Sequence, residues 1–108
     1  MAQKIVQINF KLTTPTADYA KMAGPLADPI AKVNGLVWKV WIYNEQQHEA
    51  GGIYLFKDET AANDYLAGDI VAGLKAQTTI KDITVKMSDI DEGLSRKTRG
   101  PIAIPVAA

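Results

Sequence analysis

Residues 36–43 read LVWKVWIY, and residues 49–56 read EAGGIYLF. Both segments are rich in the β-branched and aromatic residues that favour strands, and the stretch between them is short enough for a hairpin turn. The turn is either a tight one at Gln46-Gln47, which sets the register, or a longer one over residues 44–47, which keeps the same residues on each face. That register opposes Trp41 to Gly52, Lys39 to Tyr54, and Val40 to Ile53. The two segments therefore predict an antiparallel hairpin.

The predicted hairpin has two different faces, because successive side chains of a strand point to opposite sides. One face carries no polar group, and we expect it to form the core: Leu36, Trp38, Val40, Ile42, Ile53 and Leu55. The other face is aromatic but includes a charge, two hydroxyls and a gap at a glycine. We expect it to form the wall of a binding cavity: Val37, Lys39, Trp41, Tyr43, Ala50, Gly52, Tyr54 and Phe56.

The rest of the chain predicts two helices and two further strands. Apolar residues alternate from Val6 to Leu12 and again from Ile83 to Met87, as in strands. Helical spacing runs from Tyr19 to Val33, with a kink expected at Gly24-Pro25, and a second helix follows a cap at Asp58. The order β-α-β-β-α-β predicts a ferredoxin-like α+β subunit with both helices on one face of an antiparallel sheet.

The length of 108 residues fits one domain, which we place at residues 1–95. Residues 96–108 form a C-terminal tail of different character, basic and polar at first and then apolar with prolines at positions 101 and 105. Prolines exclude a central strand there. We expect this tail to be extended or partly disordered, or to lie across another surface such as a partner subunit.

Composition excludes several classes of function. Lys+Arg and Asp+Glu are balanced at 12 each, so the zero net charge argues against a nucleic-acid or anionic-membrane partner. The chain contains no cysteine, which excludes disulfides and thiolate chemistry. It has no long apolar run and no signal-peptide core, so we expect a cytoplasmic protein that does not span a membrane.

A homodimer is predicted from the sheet. Two helices cover one side of four strands, and the uncovered side would expose a large aromatic patch if it carried the cavity-wall face of the hairpin. Two copies that pack their sheets face to face would cover this patch, since a two-fold contact needs only one surface. We assign to it Val37, Trp41, Tyr43, Tyr54 and Phe56.

The segment Trp38-Lys39-Val40-Trp41, together with the run from His48 to Phe56, closely resembles the YdhR-like monooxygenases. The resemblance extends from about Ile5 to about Ser95, and the tail after Arg96 departs from the family pattern. It implies a ferredoxin-like subunit of the dimeric α+β barrel superfamily, with a cavity between sheet and helices in each half. It also implies kinship with cofactor-independent oxygenases that act on aromatic polyketides.

Three aromatic residues of the hairpin, Trp41, Tyr43 and Tyr54, are candidates for stacking on a planar ligand. The alternative is that they form the core of the dimer. Lys39 is a candidate for stabilising an enolate or peroxide anion. Alternatively, its stem is buried and its ammonium stays in water. Val37, Gly52 and Phe56 complete the predicted substrate-binding wall.

Two polar residues of the first strand, Gln7 and Asn9, alternate with apolar ones, and we expect them to face the same cavity. Asn9 is then a hydrogen-bond donor for dioxygen or substrate. His48, the one histidine, is either a general base or haem ligand, or a polar residue at the end of the hairpin. One histidine cannot supply a three-histidine or two-histidine-one-carboxylate metal site, and no nucleotide or flavin motif is present. We therefore expect no metal and no cofactor.

These observations favour a cofactor-independent monooxygenase that oxidises an aromatic or quinol-like small molecule in an apolar cavity. Its predicted catalytic residues are Asn9, Lys39, Trp41 and Tyr54, with His48 as a further candidate. Two alternatives remain open. One is a non-catalytic binding protein for a hydrophobic small molecule, and the other is a haem-binding or haem-degrading protein.

Overall fold

The computed structural model describes residues 2–102, which fold into one four-stranded sheet and five α-helices. A short 3-10 turn over Gly24–Leu26 joins the first two helices. In chain order the elements are β1 (Lys4–Leu12), α1 (Thr16–Ala23), α2 (Ala27–Ala31), β2 (Leu36–Asn44), β3 (Glu49–Phe56), α3 (Glu59–Leu66), α4 (Asp69–Lys75), β4 (Ile80–Asp89) and α5 (Glu92–Lys97).

The sheet has the strand order β2-β3-β1-β4, and every neighbouring pair is antiparallel. This arrangement confirms the predicted ferredoxin-like α+β fold. The hairpin register is also as predicted, with Trp41 opposite Gly52 and Lys39 opposite Tyr54. No helix in the described part of the chain is long and apolar enough to cross a lipid bilayer.

Both predicted helices are divided by their breaking residues. Gly24 and Pro25 end α1 and begin the 3-10 turn, as expected for a proline that cannot donate within a helix. The second predicted helix begins where Asp58 accepts a hydrogen bond from the Ala61 amide at 2.8 Å. It then divides at Gly68, which is the extended residue before α4.

The two faces of the hairpin are the reverse of the prediction. The aromatic face lies under the helices, where Tyr54 and Phe56 are buried against Tyr65 of α3. The wholly apolar face lies on the open side of the sheet, and Val40 there is 50% exposed. The Tyr54 hydroxyl forms a hydrogen bond with that of Tyr65, and the Lys39 amine lies against the Trp41 ring. These polar groups therefore have partners within the fold and do not keep the face out of the core.

A bulge changes the face of one residue at the start of β2. The pairing shifts between Leu36, which opposes Phe56, and Trp38, which opposes Leu55. Val37 is the extra residue, and a bulge of this kind moves the following side chains to the other face. Leu36 therefore packs against the helix-covered core, although alternation placed it with Trp38.

The chain after β4 returns to the open side of the sheet. Asp91 caps α5 by accepting from the Leu94 amide, so the predicted domain boundary at residue 95 falls inside a helix. Beyond it, the Trp38 indole Nε1–H donates to the Pro101 carbonyl at 2.7 Å, and Ile102 is 5% exposed. The predicted conformation of residues 103–108 lies outside the described residues.

Two glycines make a matched test of the sheet. A Cβ on Gly51 would lie 1.9 Å from the Ile8 carbonyl oxygen, whereas a Cβ on Gly73 in α4 meets nothing within 4 Å. We expect Gly51→Ala to lower the free energy of unfolding by about 3 kcal/mol, because β1 and β3 must separate. Gly73→Ala should raise it by up to about 1 kcal/mol through helix propensity. Urea denaturation of both variants measures these changes, and equal effects would contradict the close approach of β1 and β3.

Candidate functional site

A cavity of about 560 Å³ lies between α1 and the end of β2, and we call it the outer chamber. Its walls are mostly apolar, since small residues of the helix face two aromatic rings of the strand. Thr16 and Glu45 supply polar atoms at its edge. The other lining residues are Ala17, Tyr19, Ala20, Ala23, Gly24, Ala27, Trp41, Ile42 and Tyr43.

A smaller, more enclosed space of about 30 Å³ lies deeper between the sheet and the helices, and we call it the inner chamber. Tyr19, Ala23 and Trp41 line both spaces, so the two chambers adjoin. A volume of this size holds about one water molecule or one small functional group. Apart from apolar side chains, its wall carries Tyr19, Lys39, Tyr54 and Tyr65.

The Lys39 side chain lies across Gly52 and ends among aromatic rings. Its Cε would be 2.6 Å from a Cβ on Gly52, so the missing side chain is what makes room for the lysine stem. The amine lies 3.3 Å from the ring centroid of Trp41 and 4.7 Å from that of Tyr54. Such contacts stabilise a cation electrostatically. No ion pair within residues 2–102 involves Lys39.

Burial lowers the pKa of Lys39 to about 8, since a charged amine is disfavoured away from water. Burial acts in the opposite direction on the tyrosines, raising the pKa of Tyr19 to about 12 and also raising that of Tyr54. Burial likewise raises the pKa of Tyr65, whose hydroxyl donates to that of Tyr54 at 3.1 Å. Lys39 is thus the one residue lining the inner chamber that titrates near neutral pH.

The structure brings four predicted residues together. Lys39, Trp41, Gly52 and Tyr54 form one cluster at the boundary of the chambers. Tyr43 lines the outer chamber and is 71% exposed, so it is available to a ligand. Two other wall residues are elsewhere: Phe56 is fully buried and stacks on Tyr54, and Val37 occupies the bulge.

The prediction for Gln7 and Asn9 is wrong. Val6, Ile8 and Phe10 of β1 are buried in the helix-covered core, and alternation sends Gln7 and Asn9 to the opposite face. Gln7 and Asn9 would face the cavity only if core and cavity lay on different sides of the sheet. Both lie on the same side, so residues alternating with the core cannot reach the cavity.

His48 lies in the hairpin turn with a positive φ of 53°, and its carbonyl accepts from the Leu12 amide at 2.7 Å. It lines a depression that shares Thr16 and Glu45 with the outer chamber, and His48 itself lines neither chamber. Within residues 2–102 no three His, Cys, Asp or Glu side chains come close enough to hold a metal ion. This placement fits the interpretation of His48 as a polar residue at the end of the hairpin.

The lining residues that were not among the predicted site residues include three aromatic ones: Phe10, Tyr19 and Tyr65. The sequence did mark each as inward-facing, because Phe10 alternates in its strand and both tyrosines fall on the apolar stripe of a helix. They belong to the site because the helices cover the aromatic face of the hairpin. With the aromatic face of the hairpin placed under the helices, the sequence pattern would have identified all three as lining residues.

Solved structures share this fold. The chain is similar to a protein from Shewanella oneidensis (TM-score 0.70, 13% identity, covering 82% of this chain and 91% of that one). It is also similar to a protein of unknown function from Nitrosomonas europaea (0.65, 20%, covering 84% and 91%). A third is a variant of SnoaB, a cofactor-independent oxygenase from Streptomyces nogalater (0.68, 13%, covering 84% and 95%). At these identities the likeness shows the fold alone.

A family model described as "Putative mono-oxygenase ydhR" matches residues 5–101. The match continues past Arg96, where the resemblance to the family was expected to end. Among curated proteins, none matches the chain.

The buried amine has a measurable effect on stability. We expect Lys39→Met to raise the free energy of unfolding at pH 7 by about 1 kcal/mol, a figure reduced for the partial exposure of the side chain. Lysine in the unfolded chain keeps its ordinary pKa of 10.5, whereas the folded value is about 8. Between these values the unfolded chain binds more protons, so the stability of the wild-type protein rises with pH.

Urea denaturation of the wild-type protein and the variant at pH 7, 9 and 10.5 measures this difference, which should shrink as pH rises. Lys32→Met, at an exposed lysine, is the matched control and should follow the wild-type curve. Parallel curves for the wild-type protein and Lys39→Met would show that the amine is fully hydrated.

Proposed function

The chain belongs to the YdhR monooxygenase family, and from this membership we propose that it is a cofactor-independent monooxygenase of an aromatic or quinol-like small molecule. The observation that carries the proposal is the Lys39 amine, which is half-buried among aromatic rings at the end of an apolar cavity and has no ion pair within the described residues. An anion bound beside it would supply the missing counter-charge.

The outer chamber suits a planar ring. Trp41 and Tyr43 offer aromatic surface on one wall, and the alanines of α1 leave space on the other. A phenolic or enolic oxygen of the bound ring would point inward, toward Lys39 at the boundary of the chambers. The Tyr54 hydroxyl, held by Tyr65, is a second hydrogen-bonding group there.

The proposed chemistry needs no external reductant. The substrate loses its proton to water at the open edge of the outer chamber, and the protonated amine of Lys39 stabilises the resulting electron-rich anion between apolar walls. The anion gives its electrons to dioxygen and forms a carbon–oxygen bond, and the peroxide then loses water. For an oxidised CH₂ group the sum is R₂CH₂ + O₂ → R₂C=O + H₂O, with both electrons for each oxygen atom coming from the substrate.

Lys39, Trp41 and Tyr54 keep their proposed catalytic roles, with Tyr43 and Gly52 shaping the binding site. Gln7, Asn9 and His48 have no part in this proposal because they do not line the chambers. The same placement of His48 removes the support for haem binding, which would require that imidazole at the cavity. A cytoplasmic location stays a prediction from the sequence.

A non-catalytic binding protein is the second candidate. The observation in its favour is that the inner chamber contains no carboxylate or imidazole to take the substrate proton, and that burial keeps its three tyrosines neutral. On this alternative the same aromatic walls would sequester a hydrophobic molecule without turnover.

Oxygen consumption with a panel of anthrones, anthrols and quinols distinguishes the two candidates. We expect turnover by the wild-type protein and a loss of about 100-fold in kcat/KM for Lys39→Met, since a positioned charge is removed from the reacting anion. Because the charged form of Lys39 acts, kcat/KM should fall as pH rises through about 8. Ligand affinity, followed by Trp41 fluorescence, should change much less.

Lys32→Met again serves as the control and should leave the kinetics unchanged. Saturable binding without oxygen consumption across the whole panel would contradict the oxygenase and favour the binding protein. Equal activity in Lys39→Met and the wild-type protein would contradict the role of the amine.

We also propose a homodimer. It forms through the open side of the sheet, as expected, but the apolar face of the hairpin lies there and not the aromatic face. The open side of the sheet presents Val40, Ile42 and Ile53 to solvent or to a partner. A second copy is the occupant that fits, because an isologous contact needs one patch and the zero net charge offers no repulsion.

Analytical ultracentrifugation at micromolar concentration tests the dimer. We expect a dimer for the wild-type protein and a shift to monomer for Val40→Asp, which buries a charge in the contact. Thr60→Asp adds the same charge at the exposed start of α3 and should remain dimeric. A wild-type monomer, or a dimeric Val40→Asp, would contradict this interface.

A further inference from the structure

The Lys39 amine is also a nucleophile with space beside it. Lysine amines become reactive when an apolar pocket removes water and favours the neutral form. Lys39 meets the structural requirement, since its stem is held over Gly52 and its amine lies against two ring faces. An unpaired amine in such a setting can attack a carbonyl carbon.

Apart from the ring faces of Trp41 and Tyr54, no group lining the inner chamber stabilises the charged form of this amine. Tyr19 of α1, Tyr54 of β3 and Tyr65 of α3 are the titratable ones, and burial keeps each protonated and uncharged near neutral pH. The other residues lining the inner chamber, from β1, β2, α2 and α4 among others, are apolar. Besides Lys39, the charged residue that lines a chamber is Glu45, and it lines the outer chamber only.

The shape of the two chambers selects a class of carbonyl compound. The outer chamber accepts a planar ring beside Trp41, and the inner chamber has room for one small group next to the amine. The Tyr54 hydroxyl lies 3.1 Å from that of Tyr65, and because a hydroxyl can donate one hydrogen bond and accept others, Tyr54 is a second polar group that a carbonyl oxygen can contact. A bound carbonyl compound can therefore place its ring in the outer chamber and its carbonyl group next to the Lys39 amine.

We propose that Lys39 forms a Schiff base with aromatic aldehydes whose ring occupies the outer chamber and whose carbonyl enters the inner one. The amine nitrogen adds to the carbonyl carbon and the carbonyl oxygen takes up a proton, which gives a carbinolamine. Loss of that oxygen as water leaves the C=N bond, so R–NH₂ + O=CHR′ → R–N=CHR′ + H₂O. No oxidant or reductant is needed, and the reaction is separate from the proposed oxygenation.

The ionisation of Lys39 supports this reactivity. With a pKa of about 8, roughly a quarter of the amine is neutral at pH 7.5, against roughly 0.1% for a lysine of ordinary pKa. The lower basicity reduces the intrinsic nucleophilicity of each neutral amine, but by much less than the gain in their number. Labelling of Lys39 should therefore exceed that of any exposed lysine at least about 10-fold.

Reductive trapping without oxygen tests the proposal. The full-length protein is incubated at pH 7.5 with 4-hydroxybenzaldehyde and sodium cyanoborohydride, and the adducts are located by peptide mass mapping. We expect one dominant lysine adduct, at Lys39, with a rate that rises with pH through about 8. Mapping separates it from the α-amino group of the chain, whose ordinary pKa also lies near 8.

Two variants and one competitor sharpen the test. Lys39→Arg keeps the charge but removes the nucleophile and should abolish the adduct, whereas Lys32→Arg at an exposed site should leave it unchanged. 4-Hydroxybenzyl alcohol, which has the ring but no carbonyl, should protect Lys39. Labelling spread over the exposed lysines, or confined to the α-amino group, would overturn the proposal, and a lack of protection would overturn the role of the outer chamber. Because dioxygen is absent, none of these results depends on monooxygenase activity.

Discussion

The placement of one lysine stem over one glycine organises the rest of this structure. Lys39 and Gly52 lie on the same face of the hairpin, and the missing side chain at Gly52 gives the lysine room to run inward. The amine then needs partners, which the ring faces of Trp41 and Tyr54 provide. Because these rings stabilise the charge of the amine, the helices can cover the aromatic face of the hairpin. The cavity forms where the helices do not cover this face completely.

Much of the fold could be predicted because its signals are local. Alternation predicted the strands, Pro25 ended α1, Asp58 capped α3, and the short connection between β2 and β3 limited the register of the hairpin. The side of the sheet that receives the helices is a different kind of question. Both faces of the hairpin are apolar enough to be buried, and which one is covered depends on tertiary contacts such as those of Tyr54 and Phe56 with Tyr65 of α3.

The candidate site was predictable to the same extent. Residues of the hairpin were grouped correctly, since Lys39, Trp41 and Tyr54 share a face by alternation alone. Gln7 and Asn9 were assigned wrongly because their position relative to the cavity required knowing which face the helices cover. His48 was ambiguous for another reason. As the one histidine of the chain it was a candidate for a catalytic or haem-binding role, but it lies in the hairpin turn and lines neither chamber.

The contact between Lys39 and Gly52 also constrains how this cavity can change in evolution. Any side chain at position 52 would occupy the path of the lysine stem, so that stem would have to leave the fold or shorten. A shorter residue at position 39 would in turn leave a void over Gly52, which a larger residue at 52 could fill. The two positions are therefore coupled, and relatives with different ligands should exchange volume between them in pairs.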